Sequence, residues 1–397
     1  MAVHAFSRRR WLLGGLASAS SLFAIGRGAR VDAPAVEFPD PLTERKMERL
    51  TDPAHLFRLP HRSERFLADH NDALYLAGEL DGSRQVFEYD LKRQRLVQLS
   101  EGPGLLSDSI TLDHRNRNLF YLQGDRLVEG GRGDRTVQTI AAGWRATGAL
   151  TLSDDGALAA WIEMREGDEH DDPAQQFARH PRCRLQAAAL SGGAARTLVE
   201  EDHWLDMPRF RPGSHEILYA REGPWGEVAG RLQLISADGG ASRSLRERIG
   251  EEQIGAEQWS SDGERIWFVH FPDKGYRGAT IRTLDAAGAN ETTVSPCSAF
   301  GWFHVNHDAS AIVGASRRPS GPNIYVLFPK LQREITLCEH GASGKPHPIA
   351  GTDRMDPQAS APAPVLSHDS QWVYFSSDRE GKPAVYRMKV EDLVSET

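Results

Sequence analysis

The chain has 397 residues, of which 40% are hydrophobic and 26% charged, enough for a large core. Its formal net charge is -8 and its pI near 6.0, which argues against a nucleic-acid partner, since phosphate recognition needs a basic face. An acidic polysaccharide stays possible, because a few local arginines bind carboxylates whatever the global sign.

The chain opens with Ser7-Arg8-Arg9-Arg10-Trp11-Leu12-Leu13 and an apolar run ending near Ile25. A basic start before a short apolar stretch is an export signal, and an arginine pair followed by bulky apolar residues marks the twin-arginine type. No cysteine follows the run, which disfavours a lipoprotein. Cleavage is expected after Ala29, Ala33 or Ala35. Residues 1–35 are therefore assigned to signal and linker, and 36–397 to one domain located in the periplasm or secreted. No later apolar stretch approaches spanning length, so no membrane association is expected after cleavage.

A turn followed by an apolar, β-rich run then recurs along the chain. The copies start at Asp69, Asp113, Ser153, Arg211, Ser260, Asn306 and Ser367, as in Ser153-Asp-Asp-Gly-Ala-Leu-Ala-Ala-Trp and Ser260-Ser-Asp-Gly-Glu-Arg-Ile-Trp-Phe. They lie roughly 40–60 residues apart, close to the period of a four-stranded blade. Asp, Ser and Gly supply the side-chain-capped and positive-φ positions of a tight turn. Each blade alone leaves two sheet faces bare, and a ring of blades covers them. The sequence thus predicts an all-β protein, a seven-bladed β-propeller. Two insertions interrupt the pattern, near Glu166–Pro181 and Lys345–Pro357; the first is expected as a rim loop or short helix.

The first strand of a blade lines the central channel. Six positions before the turn position of Asp262, the copies carry Glu64, Ser109, Ala149, Met207, Ala256, Trp302 and Ala363. That ring offers little for a metal, which needs several converging His, Asp or Glu groups. It also offers little for general acid–base chemistry. Cys183, Cys297 and Cys338 are widely spaced, form no CxxC pair, and read as small buried residues, with one disulfide plus a free thiol as the alternative.

Several segments together resemble the oligogalacturonate lyase family. Ala256-Glu-Gln-Trp-Ser-Ser-Asp-Gly resembles that family's His-Glu-Phe-Trp-x-x-Asp-Gly. Asp356-Pro-Gln-Ala-Ser-Ala-Pro-Ala-Pro resembles its Gln-x-x-His-Pro-His-Pro, and Arg221-Glu-Gly-Pro-Trp with Arg231 resembles His-Glu-Gly-Pro with a downstream arginine. The likeness runs from about His61 to Tyr386 in one order of blades. It implies a manganese-type ion in the channel and β-elimination on short pectin fragments.

The departures fall on the chemistry. The family's three metal-binding histidines correspond to Ala256, Ala361 and Ala363, and only the fourth ligand, Gln358, remains. A lone amide is a poor ligand for a divalent ion, so no cofactor is predicted. The family's His-Pro pair, taken to hold the base, is Met207-Pro here. Arg184 and Arg231 match family arginines and are the candidates to act on or hold uronate carboxylates, with strand-edge ion pairs as the alternative. His61, Arg211 and Trp225 are candidate substrate contacts. His304 and His307 flank one inner strand and are either a replacement site or structural; Trp302 is either a sugar platform or core. Three readings stand: an active lyase with a changed site, an enzyme of other specificity, or a non-catalytic propeller that binds an acidic oligosaccharide or a periplasmic protein.

Overall fold

A computed structural model describes residues 26–60, 65–131, 133–170, 172–318, 321–350 and 355–390. Seven antiparallel sheets form the blades. Blade 3 shows the plan, with strands Trp144–Leu152, Leu158–Arg165, Arg182–Ala189 and Arg196–Asp202 from the channel outward. The first strands of the others begin at Leu56, Thr111, Leu205, Gln253, Phe300 and Val365.

Each recurring turn joins the first strand of a blade to the second, and side chains build it. In blade 3, Ser153 Oγ donates to Asp155 Oδ1 at 2.6 Å and accepts the Leu158 N–H at 2.9 Å, while Asp155 Oδ1 accepts the Ala157 N–H at 2.9 Å. Asn306 and Asp308 repeat this toward Ala311 and Ser310 at 3.0 and 3.1 Å. One left-handed residue closes each of the seven turns: Asn71, Asn116, Gly156, Gly213, Gly263, Ala309 and Ser370. Glycine or asparagine takes this conformation at little cost; alanine and serine hold it in the last two.

The blades pack face to face. Between blades 3 and 4, Ile162, Leu185, Ile217 and Tyr219 are buried together; between blades 6 and 7, Val313, Val326, Phe375 and Tyr386 are. The ring is closed by the chain's beginning. Lys46–Arg49 pairs with the last strand, Ala384–Lys389, aligning Met47 with Met388 and Arg49 with Tyr386, and Val36–Pro39 adds the outermost strand. Arg30–Asp32, inside the stretch assigned to signal and linker, is the outermost strand of blade 1, paired with Arg95–Val97. The signal segment itself, with Arg8 and Arg9, lies outside the described residues.

The first insertion contains the helix Pro173–Ala178, and the second a short hairpin of His347–Pro348 with Met355–Asp356. All three cysteines are free thiols, Cys183 and Cys338 buried and Cys297 half-buried. Burial pushes the Cys183 and Cys297 thiols up to about 12. Among the described residues no helix is long and apolar enough to cross a membrane.

Candidate functional site at the ring mouth

First and third strands begin at the same end of the ring, opposite the seven turns, and the candidate residues divide by this end. Arg184 lies near the start of the third strand of blade 3, Arg231 immediately precedes that of blade 4, Trp225 lies on the loop before it, and Gln358 precedes the first strand of blade 7. These four share one mouth. Arg211 does not. Its N–H bonds the Glu216 carbonyl at 2.8 Å, whereas Arg231 accepts the Arg221 N–H at 2.9 Å, so they sit at opposite ends of the strand Glu216–Arg221. Arg211 instead bonds the Gly263 carbonyl at 2.7 Å and Glu216 at 2.8 Å. His61 lies outside the described residues, as does Glu64.

The channel strands are not regular here. Blades 3, 4 and 5 carry register breaks between Ala146 and Leu150, Asp206 and Arg209, and Gly255 and Gln258. One residue inside each break has a positive φ: Gly148 at +111°, Met207 at +52° and Ala256 at +58°. Ala363, on the approach to blade 7, stands at +30°. A bulge of this kind re-aims one side chain out of the sheet alternation. It costs a non-glycine residue about 1 kcal/mol or more. Three positions that the family likeness marks as functional, Met207, Ala256 and Ala363, thus share one strained backbone state, yet carry no titratable group.

A manganese-type ion does not fit the residues present. Ala256, Ala361 and Ala363 offer methyl groups where donors are needed, and Ala361 and Ala363 are buried. Among the described residues no three His, Cys, Asp or Glu side chains are gathered to hold a metal.

The two matched arginines carry internal partners. Arg184 donates to Glu163 from Nε at 2.7 Å and lies 4.1 Å over the Trp144 ring. Glu163 also accepts the Trp161 indole N–H at 2.7 Å. Arg231 bonds Glu222 through both terminal nitrogens at 2.6 Å and also pairs with Glu257. Burial works against the Arg231 charge, but Glu222 and Glu257 outweigh it and hold the guanidinium firmly protonated.

A second ionic group was missed by the sequence reading. Arg58, 2% exposed, donates to Asp108 at 2.8 and 2.9 Å and to Asp356 at 3.2 Å. Arg84 donates to Asp356 at 2.6 Å, Glu79 at 2.8 Å and Ser107 at 3.0 Å. Asp356 accepts the Gln358 N–H at 3.1 Å, so this network holds the start of the Gln358 segment. Burial raises the Asp356 carboxyl, yet Arg58 and Arg84 bring it below the usual carboxylate range.

His304 and His307 do not form a site together. His304 Nδ1 accepts the Leu366 N–H at 3.2 Å across to blade 7, and burial pushes its imidazole down to about 4. His307 is exposed at the opposite end, in a turn. Trp302 is half-buried against the core between blades 6 and 7. Trp225 is half-buried and donates to the Glu251 carbonyl at 2.6 Å; a shallow cleft open to solvent lies between Gly223–Arg231 and Arg246–Ile254.

Seven blades, closed by the N-terminal strand and presenting arginines and aromatic rings at one mouth, define a β-propeller with a polar ring-mouth site. Within that class, this chain belongs to the oligogalacturonate lyase family, whose model matches residues 25–394. It is 26% identical to an oligogalacturonide lyase of Pectobacterium atrosepticum, over 93% of this chain and all of that one. It is 25% identical to an oligogalacturonate lyase of Dickeya dadantii over the same shares. A solved oligogalacturonate lyase in complex with manganese superposes with a TM-score of 0.86 at 25% identity, covering 93% of this chain and 99% of that one.

Proposed function

We propose that this chain is a family member that keeps a frame for acidic oligosaccharides but lacks the elimination chemistry of its relatives. The observation that carries this reading is a strained, positive-φ backbone at the positions the family likeness marks, presenting side chains without the family's chemistry. Met207 and Ala256 stand in left-handed bulges that a thioether or a methyl group does not need. β-Elimination removes a weakly acidic proton beside a carboxylate and must stabilise the enolate-like charge. A base contributes roughly 10²–10⁴-fold and a Lewis acid several kcal/mol more. Met207 accepts no proton, and alanines hold no ion. Arg184 and Arg231 are held by Glu163 and by Glu222 and Glu257, so they shape the mouth without serving as bases.

We assign the protein to the periplasm or the extracellular space on the Arg8-Arg9 motif and its apolar run. The function is tested by following the ultraviolet absorbance of the unsaturated product on short oligogalacturonates, with and without added manganese. A sustained rise that scales with enzyme would overturn the non-eliminating reading.

A further inference from the structure

The ring mouth carries cations with no ion-pair partner among the described residues, and they are not the matched arginines. Arg317 and Arg318 follow the second strand of blade 6, Ile312–Ser316, and neither has a carboxylate in ion-pair range among the described residues. Arg317 is exposed, and its guanidinium lies over the rings of Phe271 and Tyr276, 5.7 and 6.0 Å from their centroids. Trp225 completes the aromatic group, 5.9 Å from Tyr276 and 6.3 Å from Phe271.

This arrangement is held at a cost. Tyr276 is left-handed at φ +57°, fixed by its N–H to the Asp273 carbonyl at 3.1 Å and by Arg318 Nη2 donating to its own carbonyl at 2.7 Å. Strain kept in an exposed loop by a dedicated guanidinium marks a loop whose shape is used. On the inner side, a Cβ on Gly301 would collide with the Arg317 side chain, so glycine lets Arg317 lie against the channel strand of blade 6. Ala256, Trp225 and Tyr276 all pack on the core cluster that contains Phe271.

The geometry points to Arg317, with the Tyr276 and Trp225 rings, as a docking platform for a uronate unit of an acidic oligosaccharide. An exposed guanidinium offers a carboxylate two parallel N–H donors. Half-buried rings give the apolar face of a pyranose somewhere to lie. Arg184 and Arg231 are less suited to this, because each already spends donors on a glutamate. The inference rests on the acidic-sugar reading above and names the residue that recognises the charge.

The test is calorimetric titration of the mature protein with trigalacturonate at low salt, for wild type and Arg317→Gln. Arg317 is exposed, so its variant is expected to fold, which the thermal midpoint checks. Expected is binding that weakens with salt, falls about tenfold or more in Arg317→Gln, and falls likewise for wild type with the methyl-esterified trimer. Unchanged affinity in Arg317→Gln overturns the platform while the acidic-sugar reading stands. If wild type ignores trigalacturonate, glucuronate and sulfated oligosaccharides are titrated in the same way. Binding of one of them that is lost in Arg317→Gln upholds the platform and moves the reading to another acidic sugar; binding of none overturns the platform. Product absorbance in the same samples reports elimination separately.

Discussion

His304 Nδ1 accepts the Leu366 N–H at 3.2 Å, so an imidazole ties the channel strands of blades 6 and 7. Comparable ties run between other neighbours: Gln258 to the Phe303 carbonyl at 3.1 Å, and Phe210 N–H to Thr151 at 3.1 Å. The ring is stitched at its inner edge by single side chains. The tie requires neutral imidazole, and burial, with His368 and Arg209 nearby, keeps its pKa near 4. The unfolded value is about 6.5. Between the two the unfolded chain binds more protons, so stability is full above pH 6.5 and falls as pH drops toward 4. After allowance for partial exposure the loss is on the order of 2 kcal/mol. Urea midpoints of wild type and His304→Asn, which keeps an acceptor, are expected to converge as pH falls from 7 to 4.

Asp356 is the shared anion of two buried arginines. Asp356→Ala leaves Arg58 and Arg84 with fewer partners in a place water does not reach. Removing one member of such a group costs about 3–5 kcal/mol. The exposed pair of Arg49 and Glu380, at 2.6 Å, is the contrast, since breaking it is expected to cost less than about 1 kcal/mol. Denaturant titration of Asp356→Ala and Arg49→Ala checks the difference.

Restoring ligands tests whether the positions 256, 361 and 363 converge on one point. Ala256→His, Ala361→His and Ala363→His together, beside Gln358, are expected to bind about one manganese ion. Affinity should rise from about pH 6 upward as the imidazoles lose their protons. Elimination should stay poor without Met207→His, because an ion does not replace a base. Isothermal titration with manganese is the measurement, and a folded variant that binds no ion would show that the mouth has drifted.

The mature N-terminus is expected at Arg30. Arg30–Asp32 forms a strand on blade 1, and the Ala33 carbonyl accepts the Tyr89 hydroxyl at 2.8 Å. Cleavage after Ala33 or Ala35 would discard that strand, whereas cleavage after Ala29 keeps it. Mass spectrometry of the exported protein decides, and replacing Arg8 and Arg9 by lysine is expected to stop export.

The seven turns were legible because each is built by its own neighbours in sequence: Ser153, Asp155 and Gly156 lie within one motif. The positions Met207, Ala256 and Ala363 were legible through motif likeness, although nothing in the letters announced their shared left-handed backbone. The Arg58–Asp356 pair was not legible, since its partners are 298 residues apart and only ring closure joins them. Arg211 was misplaced for a simpler reason. It stands in a turn, and turns belong to the end of the ring away from the mouth. Glu257, adjacent to Ala256 in sequence, was the available hint that Arg231 has an internal partner.

The strand that shuts the ring decides how the molecule comes apart under load. Lys46 lies toward the N-terminal end and Lys389 toward the C-terminal end, and the antiparallel register puts both at the same side of the seam. Tension between the two chain ends therefore peels the backbone bonds of Met47, Glu48 and Arg49 in succession instead of shearing them together. The Arg387–Glu48 pair at 2.7 Å stands within that peeling line, with Arg387 stacked 4.1 Å over Trp372. Pulled or partly denatured, the propeller should unwind from blade 7, leaving the mouth of blades 3 to 5 standing longest.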